Sequence, residues 1–487
     1  MTANAYIVFR VDGDANLGLG HVMRCLTLAK VFSHAGYDIL FICSQSSVSA
    51  GQYIESAKFQ IAYISQGETA EYDAEQCVSI IKNLDVYMIV VDHYQLDERW
   101  EKLIWARDTK LMVIDDLANR NHVCDILLDS SCGRQESDYQ ILTNPECLFL
   151  LASDYCLLRG EFHNLSEQAK IKRKKTQGIN NILINFGATD HKRLSGQCIN
   201  ILKNLKFEGE ISILISSACK WLNELEEICE RSNQTTLHVD DNNVSALMLN
   251  ADLAIGSVGT SSWERCCLGL PTIGIVVADN QINIANNLVK LGVMELSIID
   301  GLNEILTNFL KNFNLAKWQR MSNDAFLVCD GLGAERVRNT ALQSNSEVVL
   351  QPMGRQDESI LFSWQCEPGN RKYSGIEQIP DIEEHSRWYA YSMNDSSRRM
   401  WLVMFNGKKC GYVRLDIQHN SEEVSVLISQ SFRKLGLAYG AINELKKMCL
   451  FGVLDARVSP DNSASISLFN RLGFKKVSNS CFQWSTL

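Results

Sequence analysis

Two successive doubly wound parallel α/β halves, followed by a smaller α+β tail, are the fold class this chain predicts. Three observations carry that prediction. A length of 487 residues suits about three domains of roughly 150 residues each. Short, continuously apolar runs alternate with stretches of helical spacing, and the alternation starts afresh near residue 180. The character then changes beyond about 345. Pro145 and Pro271 precede that point, whereas Pro352, Pro368, Pro380 and Pro460 follow it.

In the first part AYIVFRV (5–11), YDILFIC (37–43), VYMIVVD (86–92), KLMVIDD (110–116) and DILLD (125–129) read as strands buried on both faces. NILINFG (181–187), ISILIS (211–216), ADLAIG (251–256) and PTIGIVV (271–277) repeat the pattern. Such a pair of sheets leaves a cleft at the carboxyl ends of its strands, where ligands bind. In the tail, WLVMFNGKKCGYVRLDI (401–417) reads as a hairpin turning at Asn406-Gly407. EVSVLIS (423–429) is a further strand, and AYGAINELKKMCL a helix. The boundaries drawn on this basis are 1–165, 166–342, a linker at 343–356, and 357–487.

Composition narrows the function. Apolar residues make up 46 % and charged residues 21 %, which supports a sizeable core. A formal charge of -10 argues against nucleic acid as partner, because phosphate backbones need basic faces. The one basic run, KIKRKK (170–175), reads as a solvated linker. With no apolar stretch of membrane-spanning length and no basic segment leading into an apolar one at the N-terminus, neither a membrane span nor a cleaved signal is expected. The 17 cysteines are scattered without a C-x-x-C pair, as expected of reduced, buried thiols in a cytoplasm rather than a metal site. The pair Cys266-Cys267 is read as core packing.

The stretch GDANLGLGHVMRCLTLAKVF (13–32) follows the first strand and runs into a helix with Val22, Cys25, Leu26 and Ala29 on one stripe. Its glycines, among them Gly18 and Gly20, allow a tight loop that brings bare N–H groups to a helix start, a setting that favours an anion. The dinucleotide fingerprint fails because Met23 stands where the third glycine belongs, and no Gly-Lys-Ser/Thr marks a P-loop. What remains is strand, glycine loop, histidine, arginine. On these residues alone His21 is equally a helix-capping polar group or a reactive one.

A second loop follows the strand at 251–256. Gly256, Gly259, Thr260, Ser261 and Ser262 lead into a helix carrying Glu264, and Asn280-Gln281 closes the next strand. Hydroxyls and N–H groups at a helix start suit a diphosphate, and a carboxylate one turn on can accept from both ribose hydroxyls.

RVDGDANLGLGHVMRCLTLA (10–29), VVDHYQLDERW (90–100), VIDDLANRNHVCDILLD (113–129), YCLLRGEF (155–162), NFGATD (185–190) and GSVGTSSWERCCLGLPTIGIVVADNQ (256–281) together resemble the UDP-2,4-diacetamido-2,4,6-trideoxy-β-L-altropyranose hydrolases of pseudaminic acid biosynthesis. The resemblance runs over about residues 5 to 340. It implies a two-domain glycosyltransferase B fold and metal-free hydrolysis at the anomeric carbon, with inversion and release of UDP. It carries the catalytic histidine onto His21 and UDP contacts onto the 256–264 loop and Asn280. An imidazole can position or deprotonate water near neutral pH. Asp12 and Asp14 could orient that water or act as the base themselves. Gly187, Arg24 and Gln281 complete the candidate UDP and substrate set. Asp92, Tyr94, Asp115 and Asp116 end strands at the ligand face and are candidate sugar contacts.

The tail carries a third constellation. VSVLISQSFRKLGLAYGAINEL (424–445) contains Arg433-x-x-Gly436-x-Ala438 between strand and helix, a turn whose N–H groups can cradle a pyrophosphate. VSPDNSASISLFNRLGF (458–474) adds Asn462 and Ser465. Together these resemble GNAT acetyltransferases, whose fold splays two strands to admit acetyl-CoA. ILFSWQCEPGNRKYS (360–374), EEHSRW (383–388) and GYVRLD (411–416) resemble the branch acting on UDP-4-amino sugars. The resemblance implies acetyl-CoA contacts at Ile428, Arg433, Lys434, Gly436, Leu437, Ala438, Asn462 and Ser465. Phe469 stands where these enzymes carry the tyrosine that protonates the CoA thiolate, a thiol with a pKa comparable to that of cysteine, about 8.5. Tyr439 lies in the cofactor turn, and His385, Glu384 and His419 are candidates for the base.

The two resemblances imply a bifunctional cytoplasmic enzyme that acetylates a UDP-4-amino sugar and then hydrolyses the product. The free sugar would serve pseudaminic acid, which decorates bacterial surface structures such as flagellin. A glycosyltransferase with an accessory acetyltransferase domain is the alternative, since the fold is shared. UDP-sugars and acetyl-CoA are the expected partners, without metal, nucleic acid or membrane.

Overall fold

The computed structural model describes residues 4–13, 19–65, 67, 69–105, 109–278, 281–342, 348–373, 378–405 and 408–486, without the side chains of 48 and 49. The chain forms two compact units, residues 1–338 and 339–487.

The first unit holds two parallel sheets. One comprises β1 (Tyr6–Val11), β2 (Asp38–Ser44), β3 (Gln60–Ile64), β4 (Val86–Asp92), β5 (Lys110–Ile114), β6 (Ile126–Asp129) and β7 (Leu148–Leu151) in the order β3-β2-β1-β4-β5-β6-β7. The other comprises β8 (Asn181–Asn185), β9 (Glu210–Ile215), β10 (Thr235–Val239), β11 (Leu253–Ser257), β12 (Thr272–Ile275) and β13 (Met294–Ser297) in the order β10-β9-β8-β11-β12-β13. Central strands such as β1 and β11 are buried almost throughout, which is why they read as unbroken apolar runs. The edge strands β3 and β10 are half exposed and lack that signature.

In each sheet the strand order reverses once, between β1 and β4 and between β8 and β11. The loops leaving these strands diverge there and open a crevice. Val11 pairs with Asp92 at the end of β1 and β4, so the helix Gly20–His34 and the β4 terminus flank one crevice. Gly256 pairs with Asn185 at the corresponding place in the second sheet.

The basic run 170–175 is not a solvated linker. It is the last turn and a half of the helix Gly160–Lys175, and Arg173 is buried. Its guanidinium donates to the carbonyls of Ala251 (2.5 Å), Met248 (2.9 Å) and Leu268 (3.2 Å). Lys172 binds the carbonyl of Asn250 at 2.6 Å and Asp252 at 2.8 Å. The Met248, Asn250 and Ala251 carbonyls close the helix Val244–Asn250 and the Leu268 carbonyl closes the helix Ser261–Cys267, ends where unpaired oxygens and the helix dipole attract cations.

The second unit contains a mixed sheet ordered β14-β15-β16-β17-β18-β20-β19. Its strands are β14 (Val349–Pro352), β15 (Arg398–Phe405), β16 (Lys408–Ile417), β17 (Glu422–Ile428), β18 (Val453–Arg457), β19 (Lys475–Lys476) and β20 (Cys481–Ser485). β14 falls inside the stretch expected to be a linker, and pairs with β15 from Val349 to Pro352. β15 and β16 form the expected antiparallel hairpin, although its turn, Asn406-Gly407, lies outside the described residues. β17 and β18 run parallel but pair only at Glu422–Leu454 and Glu423–Asp455. Beyond those two pairs they part, leaving the wedge that a splayed-strand acetyltransferase fold requires. Leu361, Trp364, Tyr389, Met400, Leu402 and Tyr412 pack the helices Glu358–Cys366 and Ile382–Asn394 onto this sheet.

The 17 cysteines are all free thiols, and Cys266 and Cys267 are buried in the core as expected. Among the described residues no helix is long and apolar enough to cross a membrane, and no group of three or more His, Cys, Asp or Glu could hold a metal ion.

Candidate functional site

The helix leaving β1 begins at Gly20 and immediately presents His21, 8 % exposed. His21 Nδ1 stands 2.6 Å from Asp92 Oδ1 at the end of β4. Arg24, one turn further on, donates to both oxygens of the same carboxylate, Nη2 to Oδ1 at 2.6 Å and Nε to Oδ2 at 2.5 Å. Its Nη1 reaches Asp116 Oδ2 at 3.0 Å. The Tyr94 ring meets the His21 ring edge-on with centroids 4.7 Å apart, and its phenol donates to Asp116 Oδ2 at 3.3 Å.

Burial opposes charge on Asp92, yet Arg24 and His21 hold its carboxyl far below the usual carboxylate range. An ionised carboxylate only accepts, so the 2.6 Å contact calls for a proton on His21 Nδ1, which Arg24 Nη2 also approaches to 3.1 Å; in the neutral form of that tautomer the lone pair is on Nε2. This is the arrangement of a base oriented by a buried acid.

Two expected sugar contacts are therefore occupied. Asp92 is fully buried behind His21, and both its oxygens are taken by His21, Arg24 and the Cys25 thiol. Asp115 is equally buried, with Arg120 on Oδ1 at 2.5 Å and the Ala118 N–H and Tyr139 hydroxyl on Oδ2 at 2.9 Å each. Asp12 is likewise no free base. The Ser44 N–H (2.7 Å) and Ser47 hydroxyl (3.2 Å) donate to Oδ1, and Arg10 (2.9 Å) and His93 Nε2 (3.2 Å) reach Oδ2. Burial opposes its charge, but His93 and Arg10 hold its carboxyl low. Ser47 also accepts from the Gly13 N–H at 3.1 Å, so Asp12 anchors the start of the glycine loop. Asp14 and Gly18 lie outside the described residues.

The second sheet meets this site through its own loop. A Cβ placed on Gly20 would stand 4.0 Å from Thr260 Oγ1, so the start of the helix Gly20–His34 faces the second loop closely. Gly187 (φ +88°) and Gly259 both have open space where a Cβ would sit, leaving bare backbone beside β8 and β11. Gly256 does not: a Cβ there would come 2.1 Å from the Asn185 carbonyl oxygen, so its role is close strand packing. Thr260 is exposed, whereas Ser262 is buried. Arg265, which the sequence reading passed over, braces the loop. Its Nη2 donates to the Ser257 carbonyl at 2.6 Å and stands 3.2 Å from the hydroxyls of both Ser261 and Ser262. Glu264 has burial pushing its carboxyl up to about 7 against the pull of Arg159 and Arg265. Arg159 Nη2 lies 3.6 Å from Glu264 Oε1 and was also missed, although it sits in the quoted YCLLRGEF segment. Gln281 turns back on its own strand end, accepting from the Val277 N–H at 3.0 Å, and Asn280 is outside the described residues.

Behind the site His122, fully buried, lies between Glu101 Oε1 at 2.7 Å and Asp115 Oδ2 at 3.8 Å. Burial disfavours its charge, but the neighbouring carboxyl groups of Asp115 and Glu101 outweigh that and raise it to about 9. The folded pKa exceeds the ordinary 6.5, so the stabilisation is complete below about pH 6.5 and is lost as pH rises through 9. Thermal melts should show the wild-type midpoint falling between about pH 7 and 10 and the His122→Gln midpoint falling markedly less. Parallel curves would remove His122 as the titrating group.

In the second unit β17 ends at Ile428, and the turn reaches Gly436 (φ +76°) at the head of the helix Leu437–Lys447. Arg433 and Lys434 are exposed on this turn, Leu437 is buried and Ala438 half-buried. Lys434 also takes a positive φ of 60°, so the turn coils tightly through two left-handed positions. Glu367, absent from the sequence reading, accepts from the Ser429 hydroxyl at 2.7 Å and the Gln430 N–H at 2.8 Å. Asn462 caps the helix Ser463–Arg471 by accepting from the Ser465 N–H at 3.0 Å. Phe469 is buried against Phe474 and Phe482 in an aromatic cluster, with centroids 5.0 and 6.4 Å away. The Tyr439 ring lies beneath the Arg471 guanidinium. His385 is no poised base. It is buried among Phe362, Trp388 and Tyr389, with ring nitrogens near Gln365 Oε1 and the Glu358 carbonyl, and burial lowers its pKa. Glu384 and His419 are exposed.

The first unit thus has two Rossmann-like sheets of the glycosyltransferase B kind, and the second the mixed sheet of an acetyltransferase fold. The acetyltransferase (GNAT) domain family matches residues 347–475. The first unit is similar in fold to the crystal structure of Acinetobacter baumannii MurG (TM-score 0.53, 14 % identity, 70 % of this chain and all of that one). The UDP-2,4-diacetamido-2,4,6-trideoxy-β-L-altropyranose hydrolase of Campylobacter jejuni is 30 % identical over 287 residues, covering 59 % of this chain and 97 % of that protein. The chain belongs to that hydrolase family and carries a C-terminal GNAT domain in addition. An uncharacterized protein of Methanocaldococcus jannaschii matches 97 % of both chains at 22 % identity.

Proposed function

We propose that the first unit hydrolyses UDP-2,4-diacetamido-2,4,6-trideoxy-β-L-altropyranose to UDP and the free sugar, and that the second acetylates the 4-amino group of the precursor UDP-sugar. The observation that carries the hydrolytic reading is the His21–Asp92–Arg24 group at the strand-order reversal, next to Gly20, which stands close to Thr260. Water attacks the anomeric carbon as its proton passes to His21 Nε2. The bond from that carbon to the diphosphate oxygen breaks, and its electron pair leaves with UDP. Arg24 and Asp92 keep the imidazole oriented. The open backbone at Gly187 and Gly259, with exposed Thr260, suits the departing diphosphate, and Glu264 the ribose hydroxyls.

For the acetyl transfer, the wedge between β17 and β18 and the left-handed turn at Gly436 support a site for acetyl-CoA, with Arg433 and Lys434 as candidate phosphate contacts. The sugar amine attacks the thioester carbonyl, the C–S bond breaks and CoA leaves as thiolate. Phe469 offers no proton to it, so departure is unassisted at that position. Joining the two activities in one chain holds them at an effective concentration of roughly millimolar.

The full chain should be given the UDP-4-amino sugar and acetyl-CoA with no glycosyl acceptor, and the products followed by mass spectrometry and thiol release. Equal amounts of CoA, UDP and free diacetamido sugar are expected. UDP retained on the sugar would overturn the hydrolase assignment, and absence of thiol release would overturn the acetyltransferase assignment.

A further inference from the structure

Among the described residues, Asp116 is the one carboxylate of the His21 group with an oxygen left over. Oδ2 accepts from Arg24 Nη1 and from the Tyr94 hydroxyl. Oδ1 is buried from solvent and has no hydrogen-bond partner among the described residues. The backbone beneath it is held, because Arg134 donates to the Asp116 carbonyl at 2.9 Å while its Nε binds the buried Asp129. A charged acceptor shut away from water with no donor is costly, and such atoms are normally satisfied. Its neighbours differ in this respect: Asp12, Asp92 and Asp115 have both oxygens engaged.

We propose that Asp116 reads the sugar: Oδ1 accepts a hydrogen bond from an acetamido N–H or a hydroxyl on the glycosyl group of the bound nucleotide sugar. The inference rests on the nucleotide-sugar reading of this site and adds its polarity. A carboxylate repels phosphate, so the end of the crevice at β5 takes the sugar, and the Gly259-Thr260 end takes the diphosphate. The same carboxylate also fixes Tyr94, whose ring abuts His21. Recognition of the sugar and placement of the base thus share one residue.

Asp116→Asn is the discriminating change. The single amide oxygen can still serve Arg24 and Tyr94, while the atom at Oδ1 turns from acceptor into donor. Binding should be measured by calorimetry on the full chain carrying His21→Asn, so that the UDP-diacetamido sugar stays intact. The Asn change is expected to weaken that ligand about 10- to 100-fold and to leave the affinity for UDP alone within about threefold. Removing the donor from the ligand, with a deoxy or desacetamido analogue, should then cost no further affinity in the variant. Equal affinity of the variant and its parent for the nucleotide sugar would overturn the proposal. So would equal losses for UDP and the nucleotide sugar, which mark a structural role. Asp116→Ser, which is too short to reach the ligand but leaves room for water beside Arg24, gives the same reading if the Asn variant does not fold. If the parent protein binds neither UDP nor the nucleotide sugar, the underlying reading falls. If it binds both and Asp116→Asn changes nothing, only this inference falls.

Discussion

Replacing His21 by Asn should slow UDP release from the nucleotide sugar by about 10²- to 10⁴-fold while leaving UDP affinity close to wild type. The physical reason lies in where the two functions reside. The imidazole offers a lone pair at Nε2, because Nδ1 carries the proton directed at Asp92. An Asn side chain has no group that takes a proton from water near neutral pH. The groups proposed to face the nucleotide, Gly259, Thr260 and Glu264, lie in the loop and helix that follow β11 of the other sheet and do not depend on His21. Initial rates of UDP release together with calorimetric UDP binding check both halves of the statement. Unchanged turnover would transfer the role of base to another group. A parallel loss of UDP binding would mean that His21 shapes the pocket rather than the chemistry.

Asp92→Asn should produce a comparable kinetic loss and, unlike His21→Asn, a large loss of stability. With an amide in place of the carboxylate, the proton on Nδ1 is no longer enforced, and an imidazole protonated on Nε2 instead cannot accept from water. Arg24 meanwhile loses both of its short contacts to a buried anion. Removing one partner of a buried ion pair typically costs about 3–5 kcal/mol, and the contact that Arg24 keeps to Asp116 at 3.0 Å places the loss at the low end. Thermal or denaturant unfolding of the full chain should show this loss in the transition that reports the first unit, alongside a UDP-release rate lowered by about 10²-fold or more. A variant with wild-type stability would mean that the Arg24–Asp92 pair contributes little net energy. Wild-type turnover would remove Asp92 as the positioning residue.

Legibility of the fold tracked burial. Strands covered on both faces, such as β1, β4, β8 and β11, stood out as apolar runs, and their alternation with helical spacing defined two doubly wound sheets. Edge strands were silent because half their side chains meet water. TTLHV at β10 has no apolar continuity to detect. The run 170–175 misled for a related reason. Clustered positive charge ordinarily means solvent, but Arg173 finds the carbonyls of Met248, Ala251 and Leu268, contacts some 75 to 95 residues away that local sequence cannot reveal. β14 escaped within a polar stretch because an edge strand needs only backbone groups to pair.

The candidate site shows the same division. A glycine loop followed by His21 and Arg24, and a second glycine-serine loop followed by Glu264, are local patterns. Their chemistry follows from residue type and from position at a strand end, so the chain by itself determined that two loops suited to a nucleotide sugar exist. It also determined that the C-terminal turn is one an acetyl-CoA pyrophosphate could occupy. Which carboxylate does what was decided only by tertiary structure. Asp12, Asp92, Asp115 and Asp116 look alike along the chain, each ending a strand. Folding gives the first three a full set of donors, from Arg10, His93 and Ser44, from His21 and Arg24, and from Arg120, Ala118 and Tyr139, and leaves one oxygen of Asp116 without any among the described residues. The pairing of Arg159 with Glu264 and the bracing of the second loop by Arg265 belong to the same class of fact. A side chain's identity fixes what it can donate or accept, but its partners come from distant strands and helices, and a charge's function depends on which partners it has already found.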